Sequence, residues 1–244
     1  MLQIFPGEVF AQTTDFDAGM RQLLPHYDEM LETVARCVPS TSRRILELGC
    51  GTGELSLKLL NRCPDAQIIA LDYSPRMIEF ARKKIDKAGY KRWNGIEADF
   101  GEWANNPEKL DIGTEFDACV SSLAIHHLSD GMKAKLFQRI GKSVKKGGCF
   151  WNGEQVLPES PALAEIYNAI GEEWLQKQGV TIEEVRSRLA SNNESVDYAA
   201  SYGYSSQDQL ATLDSQLQML MKAEFGTVAV PWKYYKWAVF GGII

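Results

Sequence analysis

The sequence predicts an α/β protein built on a doubly wound, largely parallel sheet, and three observations carry that prediction. Short apolar runs alternate with helix-period segments over residues 43–156, the pattern of a parallel sheet with helices on both faces. The run Ile45-Leu-Glu-Leu48 leads into Gly49, Gly51 and Gly53, and then Leu55, Leu57, Leu59 and Leu60 interleave with polar residues as one side of a helix. The next apolar run, 66–71, ends at Asp72, 23 residues beyond Gly49. In doubly wound sheets an acid near that spacing meets a ribose.

A strand, a glycine turn and a helix make a ligand cradle. Glycines turn the chain tightly and admit a ligand without a Cβ in the way, and the helix start offers free N–H groups. The spacing is G-x-G-x-G with Glu54 sixth, where a dinucleotide fingerprint has its third glycine. A carboxylate there repels a pyrophosphate, and no Lys followed by Ser or Thr marks a phosphate loop. A nucleoside without phosphates fits, and S-adenosylmethionine (SAM) is such a ligand. Glu47-Leu-Gly-Cys-Gly-Thr-Gly53 resembles motif I of the class I SAM-dependent methyltransferases. The resemblance implies a Rossmann-like seven-stranded sheet, parallel but for one antiparallel strand in a C-terminal hairpin, with a helical insertion before the last two strands. It also implies that Glu47, Gly49, Cys50, Gly51 and Gly53 line the cofactor.

Residues 1–19 lack a strong period, whereas Met20, Leu23, Leu24, Tyr27, Met30, Leu31 and Val34 recur at helical spacing. Pro25 is tolerated in a first turn, so a short turn and then a helix over about 25–37 are predicted. Residues 1–42 then form a helical cap able to close over the ligand. Tyr27 has two readings, a cofactor contact or a core-facing aromatic. Beyond Asp72, Ser74 caps a helix with Pro75 at its first position, buried through Met77, Ile78, Ala81 and Ile85. Two ribose hydroxyls offer two donors and an ionised carboxylate accepts both; a capping or turn role for Asp72 is the alternative. The run Ile69–Met77 resembles motif II of the same family, which puts Asp72, Tyr73 and Met77 at the cofactor.

A third strand near 94–98 ends at Asp99-Phe100. The resemblance implies that Asp99 accepts from the adenine amino group while Phe100 packs beside the ring; a plain loop acid is the other reading. Residues 102–111 form a polar connection anchored by Trp103. The fourth strand, 116–123, carries Asp117 and Ser121-Ser122, similar to the motif IV region, with Ser122 near the methionine part of the cofactor. His126 and His127 follow. Being adjacent, they are expected to point apart; one is a candidate general base, the alternative being a structural or cofactor-side role. No third ligand stands nearby in sequence, so no metal site is expected. A helix over about 130–144, a turn at Lys145-Lys-Gly-Gly148 and a strand over 149–156 complete the alternation.

Residues 157–223 then read as a helical lid. One helix opens at Ser160-Pro161, a second is capped by Thr181 and runs to about Leu189, 192–195 and 202–204 are loop-like, and a third spans about 207–223 through Leu210, Leu213, Leu217 and Leu220. That leucine stripe serves equally as a homodimer face. Thr227–Trp232 and Tyr234–Phe240 form an aromatic hairpin closing the sheet. The SAM-binding core is thus 43–156 with 224–244.

Charge and composition narrow the class. With 26 Lys and Arg against 32 Asp and Glu the net charge is −6, which counts against nucleic acid as a partner and favours a small-molecule acceptor. No run of about 18 apolar residues and no leader pattern is present, so no membrane association is expected. Five scattered cysteines without a C-x-x-C pair read as reduced thiols, and a cytoplasmic location is expected.

Within the family, the carboxy-SAM synthases, which convert SAM and prephenate into carboxy-SAM, show a similar Leu24-Pro-His-Tyr27, helical block and final hairpin. That resemblance implies a cofactor contact for Tyr27 and a carboxylate contact for Arg186. The chain departs from the branch in keeping Gly51-Thr-Gly53 and in having Ser122 where the branch has asparagine; Arg186, beside Glu183 and Glu184, otherwise reads as a solvated arginine. The reading adopted is in-line methyl transfer from SAM to a small molecule, releasing S-adenosylhomocysteine. A SAM-binding protein without transferase activity and a NAD-dependent oxidoreductase are the other classes.

Overall fold

The computed structural model describes residues 13–181 and 208–244, together with Glu184 and the backbone at 198–199 and 204–205. In chain order the elements are α1 (Thr13–Leu23), α2 (Tyr27–Cys37), β1 (Arg44–Leu48), α3 (Glu54–Arg62), β2 (Gln67–Asp72), α4 (Pro75–Lys87), β3 (Trp93–Glu97), α5 (Phe100–Asn105), β4 (Phe116–Ser122), α6 (Asp130–Ser143) and β5 (Val144–Gln155). Then come α7 (Pro161–Lys177), the two-residue strands β6 (Tyr198–Ala199) and β7 (Tyr204–Ser205), α8 (Leu213–Lys222), β8 (Thr227–Tyr234) and β9 (Trp237–Ile243).

Seven strands form one sheet in the order β3-β2-β1-β4-β5-β9-β8. β1 to β5 pair in parallel, and β9 alone runs antiparallel to its neighbours β5 and β8. The order reverses between β1 and β4, and ligands bind beyond the carboxyl ends of the strands at such a switch point.

Alternate strand residues feed two cores because successive side chains point to opposite faces. Ile45, Ile68 and Val120 join Leu31, Val34, Leu59 and Ala81 on the face covered by α2, α3 and α4. Leu46, Leu48 and Leu71 join Trp103, Phe137, Ile140 and Leu220 on the face covered by α5, α6 and α8. The helix starts follow local chemistry. Ser74, Ser129, Ser160 and Thr212 each accept a backbone N–H through the hydroxyl, and Asp99 accepts two through its carboxylate.

Several boundaries differ from the sequence reading. A helix, α1, occupies 13–23, where little period was visible. Strand β5 begins at Val144, so Lys145–Gly148 is a bulge within a strand; pairing with β4 jumps from Val144 to Cys149 across it, with Gly147 at φ 79°. The last hairpin turns at Tyr235-Lys236, which leaves Tyr234 on β8. Helix α8 begins only at Leu213, since Leu157 pairs with Thr212 and its N–H donates to Ala211 O, holding the preceding chain extended. Tyr204 lies on β7, not in a loop.

The leucine stripe of α8 is used within the chain. Leu220 is fully buried and Leu213 nearly so, against α6 and the sheet, with Leu217 partly buried beside them. Thr181 and Glu184 form a capping box, Thr181 N–H donating to Glu184 Oε2 and Glu184 N–H to Thr181 Oγ1. The remainder of that predicted helix, residues 192–195 and Arg186 lie outside the described residues. All five cysteines are free. Among the described residues no helix is long and apolar enough to cross a membrane.

Candidate cofactor site and its histidine pair

The turn after β1 is set by backbone conformation. Gly49, Gly51 and Gly53 all have positive φ, at 69°, 49° and 83°. A Cβ on Gly49 would also sit 2.3 Å from Ala124 Cβ, so both conformation and space require glycine there. Gly49 and Cys50 donate their N–H groups to Leu71 O at 2.8 and 3.0 Å, and Gly51 donates to Asp72 Oδ2 at 2.8 Å. Ser74 N–H donates to Asp72 Oδ1 at 2.9 Å. Asp72 therefore fastens the glycine turn to the tip of β2 while starting the turn into α4.

Glu47 lies beneath this turn, fully buried, accepting from Ser56 Oγ, which itself accepts from Trp93 Nε1 at 3.0 Å. Burial pushes the Glu47 carboxyl up to about 8; the Ser56 hydrogen bond opposes this and the charge of Asp72 adds to it. Cys50 is buried, and burial drives its thiol well above the ordinary range.

The structure adds residues that sequence patterning did not single out. Asp17 on α1 accepts from the Thr52 hydroxyl of the glycine turn and pairs with Lys84 of α4. Arg21 pairs with Asp28 at 2.8 Å and with Glu54. Lys84 also pairs with Glu54 at 2.7 Å. Glu54 is thus neutralised by two cations, which corrects its reading as a bare repulsive charge. Burial raises its carboxyl, but Lys84 and Arg21 outweigh that and hold it below its ordinary value. The signal in the sequence was charge alone; only the docking of α1, α3 and α4 on one another pairs these groups.

The other predicted positions fall as follows. Tyr27 begins α2, is buried, and has Arg21 Cζ 5.8 Å from its ring; burial first, then nearby carboxylates, raises its hydroxyl. Met77 is buried in the first turn of α4, and Tyr73 is partly exposed beside Asp72. Asp99 caps α5, accepting from Gly101 N–H at 2.7 Å and Glu102 N–H at 3.2 Å. Phe100 is buried beside the Gly49 turn, its Cε1 3.6 Å from where a Gly49 Cβ would lie. Ser122 ends β4 opposite Gly153. Asp117 sits at the other end of that strand, accepting from Arg43 and Arg44 N–H at 2.6 and 2.8 Å and pairing with Lys145. It ties strands together far from the glycine turn.

His126 and His127 lie on a 3-10 turn over Ile125–His127. Their rings are 4.1 Å apart and both present a nitrogen to Asp208, each 3.7 Å from its Oδ1. This corrects the expectation that adjacent histidines point apart: the tight turn, unlike a strand, lets neighbours share a side. His126 Nδ1 is 2.7 Å from Glu154 Oε1. Burial lowers the His126 ring, but Glu154 and then Asp208 outweigh it, and the net shift is upward. Burial, and then the charge of His126, push His127 down to about 3.

Comparison with known proteins adds to this geometry. A family model described as a methyltransferase domain matches residues 45–148, which run from β1 into β5. An O-methyltransferase family protein from Burkholderia thailandensis, of solved structure, superposes with a TM-score of 0.64 at 16% identity, covering 95% of this chain and 59% of that one. A carboxy-S-adenosyl-L-methionine synthase of Nautilia profundicola is 24% identical over 229 residues, 92% of this chain and 88% of that protein. Residues 45–148 are thus similar to the core of the SAM-dependent methyltransferases. A further relative, the malonyl-[acyl-carrier protein] O-methyltransferase of Paenibacillus sp., is 29% identical over 147 residues, 59% of this chain and 51% of that protein. This last match thus takes in little more than half of this chain, whereas the likeness to the carboxy-SAM synthase takes in nearly all of it.

Proposed function

We propose that this protein binds SAM over the Gly49–Gly53 turn and transfers its methyl group to a small-molecule acceptor by in-line displacement. SAM is the cofactor, and S-adenosylhomocysteine the product. The observation that carries the reading is the bond from Gly51 N–H to Asp72 Oδ2, which joins the glycine turn to the acid at the next strand tip. A carboxylate has about four lone-pair sites. Gly51 and Ser74 N–H groups donate to this one, and in this reading the ribose hydroxyls donate to it as well. In this reading Asp99 and Phe100 take the adenine, Tyr73 and Met77 flank the nucleoside, and Gly49, Cys50, Gly51, Gly53 and Ser122 meet the methionine part. Glu47 supports the turn from below, and Tyr27 closes over it with the N-terminal helices.

The sulfonium is already an activated methyl donor, so holding the acceptor in line supplies much of the rate. Calorimetry with SAM and S-adenosylhomocysteine, followed by turnover with a panel of small acceptors, tests this. Micromolar binding with S-adenosylhomocysteine release supports it; failure of both ligands to bind overturns it.

A second reading is carboxy-SAM synthesis, favoured by the nearly full-length likeness to the Nautilia profundicola protein. Incubation with SAM and prephenate, read by mass spectrometry, separates the two. A product heavier than SAM by one carboxyl group favours this reading over transfer to an external acceptor. Binding without either product would leave a SAM-binding protein.

A further inference from the structure

His126, His127 and Asp208 converge where the chain returns from the insertion to the carboxyl end of β4. Their donor atoms all lie within 4.8 Å of one another, the one such three-residue group among the described residues. The two 3.7 Å separations to Asp208 Oδ1 exceed hydrogen-bond length. They are close to the spacing of about 3.4 Å that two donors adopt when each lies about 2.1 Å from one tetrahedral ion. Small rotations of the imidazoles complete the approach.

Two further observations point to a ligand. His127 Nδ1 is buried and has no hydrogen-bond partner among the described residues, yet it faces the same carboxylate oxygen as His126 Nε2. A buried polar atom left in that state is unfavourable, and a ligand bond relieves it. On the far side of His126, Glu154 is 1% exposed and lies 2.7 Å from Nδ1. Glu154 also accepts from the N–H groups of His126 and Gln155. A carboxylate so fixed takes the Nδ1–H and leaves the Nε2 lone pair aimed at Asp208, the orientation found behind metal-ligating histidines. Lys133, nearby, pairs with Asp130 and donates to Gln209 O.

We propose that His126, His127 and Asp208 bind one divalent first-row transition-metal ion, with zinc(II) the best match to two imidazoles and a carboxylate. Glu154 orients His126 from behind. The ion clasps the returning chain to the core, reinforcing the bonds from Gln209 N–H to His126 O at 2.7 Å and from Gln209 Nε2 to His127 O at 3.0 Å. Three protein ligands leave a fourth, tetrahedral position for water or a ligand.

The test uses tag-free full-length protein, stripped with a chelator and dialysed. Zinc chloride is titrated by calorimetry and cobalt chloride by visible absorption. The expected result is one equivalent of either metal, with a cobalt ligand-field band. Affinity then falls at least about ten-fold in Asp208→Asn and in His127→Gln, and about 10–100-fold in Glu154→Gln. No stoichiometric binding, or equal affinity in Asp208→Asn and His127→Gln, overturns the proposal. A second measurement needs no variant. The chain has three histidines, so nitrogen-15 NMR with zinc chloride should shift the ring signals of His126 and His127 and leave those of His26 in place. Unmoved His126 and His127 signals overturn the site.

Discussion

The backbone N–H of Gly51 donates to Asp72 Oδ2 at 2.8 Å, and Ser74 N–H donates to the other carboxylate oxygen. One side chain thus holds the glycine turn after β1 and the turn into α4 in fixed relation. Asp72→Ala removes a charged acceptor from two backbone donors, each such bond being worth about 1.5–3 kcal/mol. SAM affinity should fall by at least about ten-fold, read by calorimetry. Asp72→Asn, which keeps one oxygen acceptor, should lose less. Equal affinity in the parent and Asp72→Ala would remove this residue from the cofactor site.

Gly49 and Gly51 share positive φ but differ in surroundings. A Cβ on Gly49 meets Ala124 Cβ at 2.3 Å, while nothing lies within 4 Å of one on Gly51. Gly51→Ala should carry only the left-handed backbone penalty of about 1–2 kcal/mol. Gly49→Ala should cost more and also displace the Ala124 segment. Thermal melts of the two variants check the order, which the space argument requires.

Glu47 stays protonated in the folded protein up to about pH 8, because burial pushes its carboxyl there. In the unfolded chain it ionises near pH 4.3. Between those values the folded state binds the extra proton, so this group makes stability fall as pH rises. Glu47→Gln removes that slope. Relative to the parent, its melting temperature should rise from about pH 5 to about pH 8, and a constant difference would refute the assignment.

At the opposite end of the sheet, Asp117 behaves in the reverse sense. Burial raises its carboxyl, but Lys145 and the N–H groups of Arg44 and Arg43 outweigh it and hold it below its ordinary value. Its contribution is therefore full above the unfolded value of about 3.9 and is lost as pH falls through the lower folded value. Asp117→Asn should be destabilised by about 1.5–3 kcal/mol at pH 7, with the gap to the parent closing under acid. Urea unfolding at both pH values measures it.

Much of this was legible in one dimension. Ile45–Gly53 and Ser74-Pro75 announce their turn and cap through residue type alone, because positive φ and an N-terminal cap are local requirements. Asp72 was legible through spacing, since consecutive parallel strands bring their tips together. The start of α1 was not, for its period is weak and its docking rests on Asp17, Arg21, Glu54 and Lys84 meeting from three helices. Glu54 was misread for the same reason: its partners lie 33 and 30 residues away.

By itself the sequence determined the parallel α/β core, the glycine cradle and the acids at the strand tips, because periodicity, glycine conformation and capping act over a few residues. Tertiary structure decided which charges neutralise one another, that α8 spends its leucines on its own sheet, and that His126 and His127 share a side. It also brought Asp208 and Glu154 to that pair. Those outcomes depend on burial and on contacts between segments distant in the chain, where energy is set by the distance between groups in space.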